Sequence, residues 1–327
     1  MGATVGAPPG VRIAYHDGEF VDAAKIRLTT NTQALHYGTG VFEGIRAYQQ
    51  TGDGALAIFR LDDHLVRLAK SAAALRIELP HSPSELRSIV LELLSRNGSR
   101  ANTYIRPLAY KLALEPGTSF GVRLRGVSAQ LSIAALPMGA YIDTRGLNCK
   151  ISSFVRVPSS AIPSDAKITG TYVNCALAVE EAQEAGCDDA LLLDADGYLT
   201  EASTSNVFVV CGDGTVATPP ATADLLPGIT RASVIELMAR ELGVRVVERP
   251  VHVTELKDIR EAFLTGTGVE VAPVTSIEHR TVGQGGIGAV TTRIREIYSE
   301  VVRGQRQDFG SWLTPVLSEP RPENSNS

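Results

Sequence analysis

Between residues 136 and 147 the chain abandons the regular spacing of apolar residues that it keeps on either side. Pro137-Met138-Gly139 ends a strand-like run, and the next apolar run starts only at residue 147. Proline has no backbone N–H to give and glycine favours turns, so such a break separates folding units. It predicts a first, smaller domain over residues 1–136, a linker over 137–146, a second, larger and barrel-like domain over 147–315, and a disordered tail at 316–327 that ends in EPRPENSNS. A chain of 327 residues with 44% hydrophobic and 20% charged content can bury cores of that size.

On the first side, VRIAY and EFVDAA flank the turn-forming His16-Asp17-Gly18 and read as an edge hairpin over 11–28. A helix is predicted from Asp62-Asp63, with Leu65, Leu68, Ala72 and Leu75 at helical spacing. A second follows Ser82-Pro83-Ser84, carries Leu86, Ile89, Val90, Leu93 and Leu94 on one face, and stops at Asn97-Gly98. Strand-like runs cover 103–112 and 127–136. On the second side, a strand at 147–155 and the loop VPSSAIPSDAK lead into a helix at about 172–185. Two apolar strands surround the turn Asp194-Ala195-Asp196-Gly197, and further helices are expected at 230–242 and from 289. Strands and helices are mixed without the strict alternation of a doubly wound sheet, so the fold class is α+β.

The formal charge of −5 and the absence of any Lys/Arg run argue against nucleic acid or an anionic membrane as partner and for small molecules. No apolar stretch approaches the roughly 20 residues of a spanning helix, and MGATVGAPPGVR lacks signal-peptide regions, so a cytoplasmic protein is expected. Cys149, Cys175, Cys187 and Cys211 form no CxxC pair and the six histidines no HExxH spacing, so no metal is expected and the thiols should be reduced. Gly283-Gln284-Gly285-Gly286-Ile287-Gly288 matches GxGxxG, but no apolar strand runs straight into it and too little chain follows for a βαβ unit. It reads as a glycine loop before the last helix.

Three segments are hard to explain as packing alone. Tyr37-Gly38-Thr39-Gly40-Val41-Phe42-Glu43-Gly44-Ile45-Arg46 mixes aromatic, glycine and charge in no helix or strand period. Ala166-Lys167 lies in a loop of prolines and small residues, and Gly197-Tyr198-Leu199-Thr200-Glu201-Ala202-Ser203-Thr204-Ser205-Asn206 leads an acid and small residues into an apolar strand. With HLVRL, TYIRPL, PMGAY, LLPGITR and TGTGVEVAPV in the same order, the chain resembles the fold-type IV pyridoxal-phosphate enzymes, and within them the branched-chain aminotransferases, over about residues 12–300.

That resemblance implies a role for each matching residue. Lys167 would hold pyridoxal 5′-phosphate as a Schiff base and shuttle the proton at the substrate α-carbon, which requires an amine that can lose its charge. Glu201 would face the pyridine nitrogen, and Tyr172 the ring hydroxyl. Ile229 and Thr230, at a helix N-terminus after LLPG, would bind the phosphate together with Arg67 and Thr267. Substrate would meet Tyr37, Phe42, Gly44, Tyr104 and Tyr141 as an apolar pocket, the main-chain turn at Thr267-Gly268 as its α-carboxylate site, and Arg106 as the partner of glutamate's distal carboxylate. Arg46 reads as structural. The implied reaction is ping-pong transfer of the amino group of leucine, isoleucine or valine to 2-oxoglutarate, in a homodimer or larger homo-oligomer.

The chain departs from the family's pattern at Ala202, Met138 and Gly268 and over Leu112 to Arg125, changes that bear on substrate range more than on reaction type. Two alternatives stay open at this point: a related transaminase with another L-amino acid or amine as donor, and a lyase resembling aminodeoxychorismate lyase.

Overall fold

The structure, a computed structural model, describes residues 12–112, 121–139 and 145–316. Tyr141, residues 113–120 of the divergent segment and the tail from 317 lie outside the described residues, and with them the expectation of a disordered tail.

The first half opens with the expected hairpin of β1 (Ile13–His16) and β2 (Glu19–Asp22), which turns through Asp17 and Gly18, both at positive φ. Then come the short helix α1 (Gln33–Tyr37), β3 (Gly40–Phe42), β4 (Ile45–Gln49) and β5 (Leu56–Phe59). Helix α2 (Leu61–Ala74) carries Asp62 and Asp63 in its first turn, where carboxylates offset the helix dipole, and buries Leu65, Leu68 and Ala72. Helix α3 (Pro83–Arg96) starts at a Ser82/Glu85 capping box and buries Leu86, Val90, Leu93 and Leu94. Strands β6 (Thr103–Lys111) and β7 (Ala129–Pro137) complete this half.

The second half runs β8 (Leu147–Ile151), α4 (Tyr172–Glu184), β9 (Asp189–Leu193), β10 (Leu199–Ala202) and β11 (Asn206–Val210). It continues with β12 (Val216–Thr218), α5 (Ile229–Leu242), β13 (Val247–Glu248), β14 (Glu261–Gly266), β15 (Glu270–Ile277) and β16 (Arg280–Thr281). Helix α6 (Ala289–Val302) and β17 (Leu313–Val316) end the described chain. Where two strands were expected over 189–210 there are three, because a turn closed by Ala202 N–H donating to Ser205 O separates β10 from β11.

Two sheets result. One, antiparallel, has the order β17-β5-β4-β6-β7-β1-β2, with β3 also on β6; the other has the order β10-β9-β8-β15-β14-β11-β12-β13, with β16 on β15. The second curls on itself: Leu199 N–H donates to Val251 O and Val253 N–H to Gly197 O, so its two ends meet. Its inner face packs Leu199, Val207, Val209, Leu264 and Val274, while α5 and α6 cover Phe208, Phe263 and Val271 on the outside. We take the two sheets, each with its helices, as the two domains. At the end of the described chain Leu313–Val316 returns to pair antiparallel with β5 of the first sheet. A four-residue run containing Pro315 carries no strand signal, yet proline is tolerated on an edge strand and β5 would otherwise leave its outer edge unpaired.

The lysine loop joins the halves. Ala166 and Ile168 are buried in the core of the first sheet with α2 and α3, so Lys167 between them is drawn out of its own half. Its carbonyl accepts from Phe42 N–H (3.1 Å), and its N–H donates to the Ser71 hydroxyl of α2 (2.9 Å).

Candidate active site

One cavity is lined by Arg67, Arg156, Lys167, Tyr172, Glu201 and the start of α5, and a second, of about 500 Å³, opens beside it over Phe42, Tyr104, Arg106, Met138 and the Thr267-Gly268 turn. Lys167, Tyr172, Arg67 and Thr267 face parts of this space, so most of the predicted constellation assembles.

Lys167 Nζ donates to the Tyr172 hydroxyl at 2.6 Å, across a helical start that places residue 172 at the head of α4. Burial, and next to it the charge of Arg67, lower the lysine pKa to about 8, so its amine can part with a proton near neutral pH. Burial acts oppositely on Tyr172, whose phenol is pushed well up and stays protonated.

Glu201 is buried, and both its oxygens accept. Arg156 Nε donates to one at 2.8 Å; Asn206 Nδ2 (3.3 Å) and Leu226 N–H (3.2 Å) donate to the other. Burial raises its pKa while the Arg156 guanidinium opposes the rise and favours the carboxylate. Asn206 closes the segment singled out around Glu201, but Arg156 has no counterpart among the residues read from the sequence: it lies in a loop with no local pattern, and only folding brings it to the acid.

At the other end, α5 begins at Gly228 with no side-chain cap, which leaves the N–H groups of its first turn, at Ile229 and Thr230, facing the cavity. A Cβ on Gly228 would lie 2.1 Å from Asn206 Oδ1, so glycine is what lets the helix start this close to β11. The glycine-rich segment before α6 ends differently. There the Glu261 carboxylate accepts from Val290 N–H (3.1 Å), Thr291 N–H (2.8 Å) and the Thr291 hydroxyl (2.8 Å), so that helix start already holds an anion.

Three buried polar atoms on the cavity wall have no protein partner: Arg156 Nη1, Ser205 Oγ and Thr265 Oγ1. Buried polar atoms are normally paired, so a polar group belongs here. A cofactor carrying a phosphate, a carbonyl for Lys167 and a ring nitrogen for Glu201 fits this donor set.

The substrate residues divide. Phe42, Tyr104, Arg106 and Gly268 line the 500 Å³ cavity. Gly44 also does, but the room it leaves is taken by the Tyr104 hydroxyl, which would lie 2.1 Å from an added Cβ. Arg106 Nη2 donates to that hydroxyl at 2.7 Å while its guanidinium lies over the Phe42 ring. Tyr37, 42% exposed on α1, lines neither cavity of its own chain. Arg46 is a buried clamp: it donates to Gly139 O (2.8 Å) and Gly268 O (3.3 Å) and pairs with Glu270 (2.9 Å), whose φ of 56° is unusual for a side-chain-bearing residue. Among the described residues, no group of His, Cys, Asp or Glu could hold a metal.

A lysine, a carboxylate and an open helix start surround one cavity, between a curled sheet and a smaller antiparallel one, an arrangement that fits a carbonyl-bearing cofactor. The chain belongs to the amino-transferase class IV family, whose sequence profile matches residues 40–277. It is similar to the probable branched-chain-amino-acid aminotransferase of Aquifex aeolicus, 40% identical over 94% of this chain and 97% of the relative. Two solved structures superpose on it with a TM-score of 0.87 each, covering 94% of this chain. One is the branched-chain aminotransferase of the archaeon Thermoproteus uzoniensis with norvaline, 38% identical over 100% of that chain. The other is a T.th. branched-chain amino acid aminotransferase complexed with N-(5′-phosphopyridoxyl)-L-glutamate, 42% identical over 99% of that chain. The fold is therefore fold-type IV, as expected.

Proposed function

We propose that this chain is a branched-chain aminotransferase that carries pyridoxal 5′-phosphate on Lys167. It transfers the amino group of leucine, isoleucine or valine to 2-oxoglutarate in two half-reactions. The observation that carries this reading is the Lys167 amine, with its lowered pKa, held 2.6 Å from Tyr172 in a cavity walled by Glu201 and an uncapped helix start. The relatives support the substrates: their names specify branched-chain amino acids, and one was solved with a phosphopyridoxyl derivative of glutamate.

When bound, the cofactor supplies an electron-accepting ring. The rest falls to the chain's own side chains and backbone N–H groups. Lys167 Nζ would take the proton from the substrate α-carbon and deliver it to the cofactor carbon that keeps the amino nitrogen. Glu201, whose carboxylate form three donors favour against its burial, would hold the proton on the ring nitrogen. The Ile229 and Thr230 N–H groups would hold the phosphate, together with Arg67 and Thr267, which line the same cavity. Phe42 and Tyr104 receive an apolar side chain, and Arg106 at the same wall meets glutamate's distal carboxylate.

We further propose a homodimer. Leu35, Tyr37, Phe154, Val155, Val173 and Leu177 are exposed on neighbouring elements, since Gly170 N–H donates to Gly38 O and Asn174 Nδ2 to Val155 O. Tyr37 could then serve a substrate only across that interface. The four free cysteines fit the cytosol.

Half-reaction spectra test the function. L-Leucine and L-glutamate should each shift the cofactor absorbance of the purified protein, and Lys167→Ala should abolish turnover. Near-parental transamination by that variant would sink the assignment, and release of pyruvate with no 2-oxo acid acceptor present would favour a lyase.

A further inference from the structure

Glu43 takes no part in the chemistry above, yet it is fully buried beside it. Its carboxylate accepts four hydrogen bonds: from Arg67 Nε (2.6 Å), Arg67 Nη2 (2.9 Å), His64 Nδ1 (2.8 Å) and Gly44 N–H (3.2 Å). Burial would raise the pKa of this carboxyl, but the Arg67 guanidinium outweighs it and holds the group far below the usual range; burial keeps His64 neutral, so the histidine must carry its proton on Nδ1 to donate. Arg67 also donates from Nη1 to Pro227 O at 3.0 Å. The guanidinium thus spends Nε–H and one N–H of each Nη on the protein and keeps the second N–H of each Nη.

We propose that Glu43, steadied by His64, is a positioning residue for the phosphate end: it orients Arg67 so that the two unspent N–H groups meet the cofactor phosphate as a fork. The inference rests on the reading that Arg67 contacts that phosphate. Glu43 and Arg67 lie on β3's exit and on α2 of the first domain, whereas Pro227 leads into α5 of the second, so the fork also registers one domain's cation on the other's helix start.

Two effects of Glu43 oppose each other. Its charge repels a phosphate, while its oxygens fix the guanidinium. The carboxylate stands behind Arg67 and is compensated by it, whereas a lost charge-assisted fork is worth roughly ten- to a hundred-fold in affinity, so orientation should dominate.

Glu43→Asp separates the two, since it keeps the charge but withdraws the carboxylate by one methylene. The measurement is equilibrium binding of pyridoxal 5′-phosphate and of phosphate-free pyridoxal to the full-length protein resolved of cofactor. Glu43→Asp should weaken pyridoxal phosphate about ten-fold and leave pyridoxal unchanged, with no such loss in an Arg67→Met background. His64→Leu, which leaves the Arg67 fork in place, should show the same selectivity with a smaller loss and serves if the aspartate variant does not fold. Parental binding by both variants, equal loss for the two ligands, tighter phosphate-ester binding, or a loss that persists without Arg67 would each overturn the proposal. If Arg67→Met itself leaves the ratio of the two affinities unchanged, the phosphate reading beneath it fails instead.

Discussion

Helices α5 and α6 are both 14 residues long and both start at a glycine with no side-chain cap of its own. Each glycine makes room for a group from a neighbouring strand: Asn206 Oδ1 against Gly228, the Glu261 carboxylate against Gly288. The difference between an amide and a carboxylate decides what each helix start can do. Glu261 satisfies the first N–H groups of α6 and cancels its dipole charge, while Asn206 turns its amide toward Glu201 and Leu226 O and leaves α5 open. A helix N-terminus becomes a ligand site only where the fold has not already filled it. Arg46 and Arg106 repeat the contrast on strands β4 and β6. The first is buried with its charge matched by Glu270, and the second is exposed with a hydroxyl as its hydrogen-bond acceptor.

The largest effect should come from making α5 resemble α6. Thr230→Asp puts an internal anion at the open N–H groups and should weaken cofactor binding roughly a hundred-fold or more, because juxtaposed like charges cost several kcal/mol. Unchanged affinity in a cofactor titration would remove α5 as the phosphate site and collapse the contrast.

Next is the unmatched arginine. Arg106→Met should lower kcat/KM for glutamate and 2-oxoglutarate roughly ten- to a hundred-fold, the value of a charge-assisted contact, and that for leucine much less. Single-turnover rates with each amino acid give the ratio. Equal losses at normal cofactor occupancy would mean that Arg106 organises the cavity or binds the α-carboxylate.

The filled helix start should respond in stability alone. Glu261→Gln keeps the shape and removes the charge, which should cost about 1–2 kcal/mol, seen as a lower Tm, with cofactor affinity unaltered. A change in cofactor affinity would show that the two helix ends are not independent.

An unmatched charge in a cavity carries a stability cost of its own, and Lys167 supplies the smallest test. Its folded pKa, about 8, lies below the usual 10.5, so folding disfavours the charged amine. That penalty is complete below about pH 8, fades between 8 and 10.5, and is absent above. Lys167→Met should therefore stabilise the cofactor-free protein by on the order of 1 kcal/mol at neutral pH, after discounting for solvent in the cavity, and the gain should vanish at high pH. A gain independent of pH would assign it to packing.

Much of this was legible without coordinates, because it depends on neighbours in the chain. Helices α2 and α3 follow from the spacing of Leu65, Leu68 and Ala72 and from Ser82-Pro83-Ser84 before the face of Leu86, Val90, Leu93 and Leu94; the position of Lys167 before a helix follows from its loop, and the first hairpin from Asp17-Gly18. The Phe42, Tyr104, Arg106, Tyr172 and Glu201 positions were readable from ordered motifs. What tertiary structure alone decided is which charge meets which. Glu43 is one residue from Phe42 in a motif that draws the eye, but its pairing with Arg67 requires α2 to lie against β3. Arg156 reaches Glu201 because β8, β9 and β10 lie side by side, Glu261 reaches α6 because that helix packs on β14 and β15, and β17 finds β5 after the chain has left that sheet. Periodicity and turn chemistry act over a few residues and are written locally, whereas neutralising a buried charge acts through space, between residues that the sequence holds far apart.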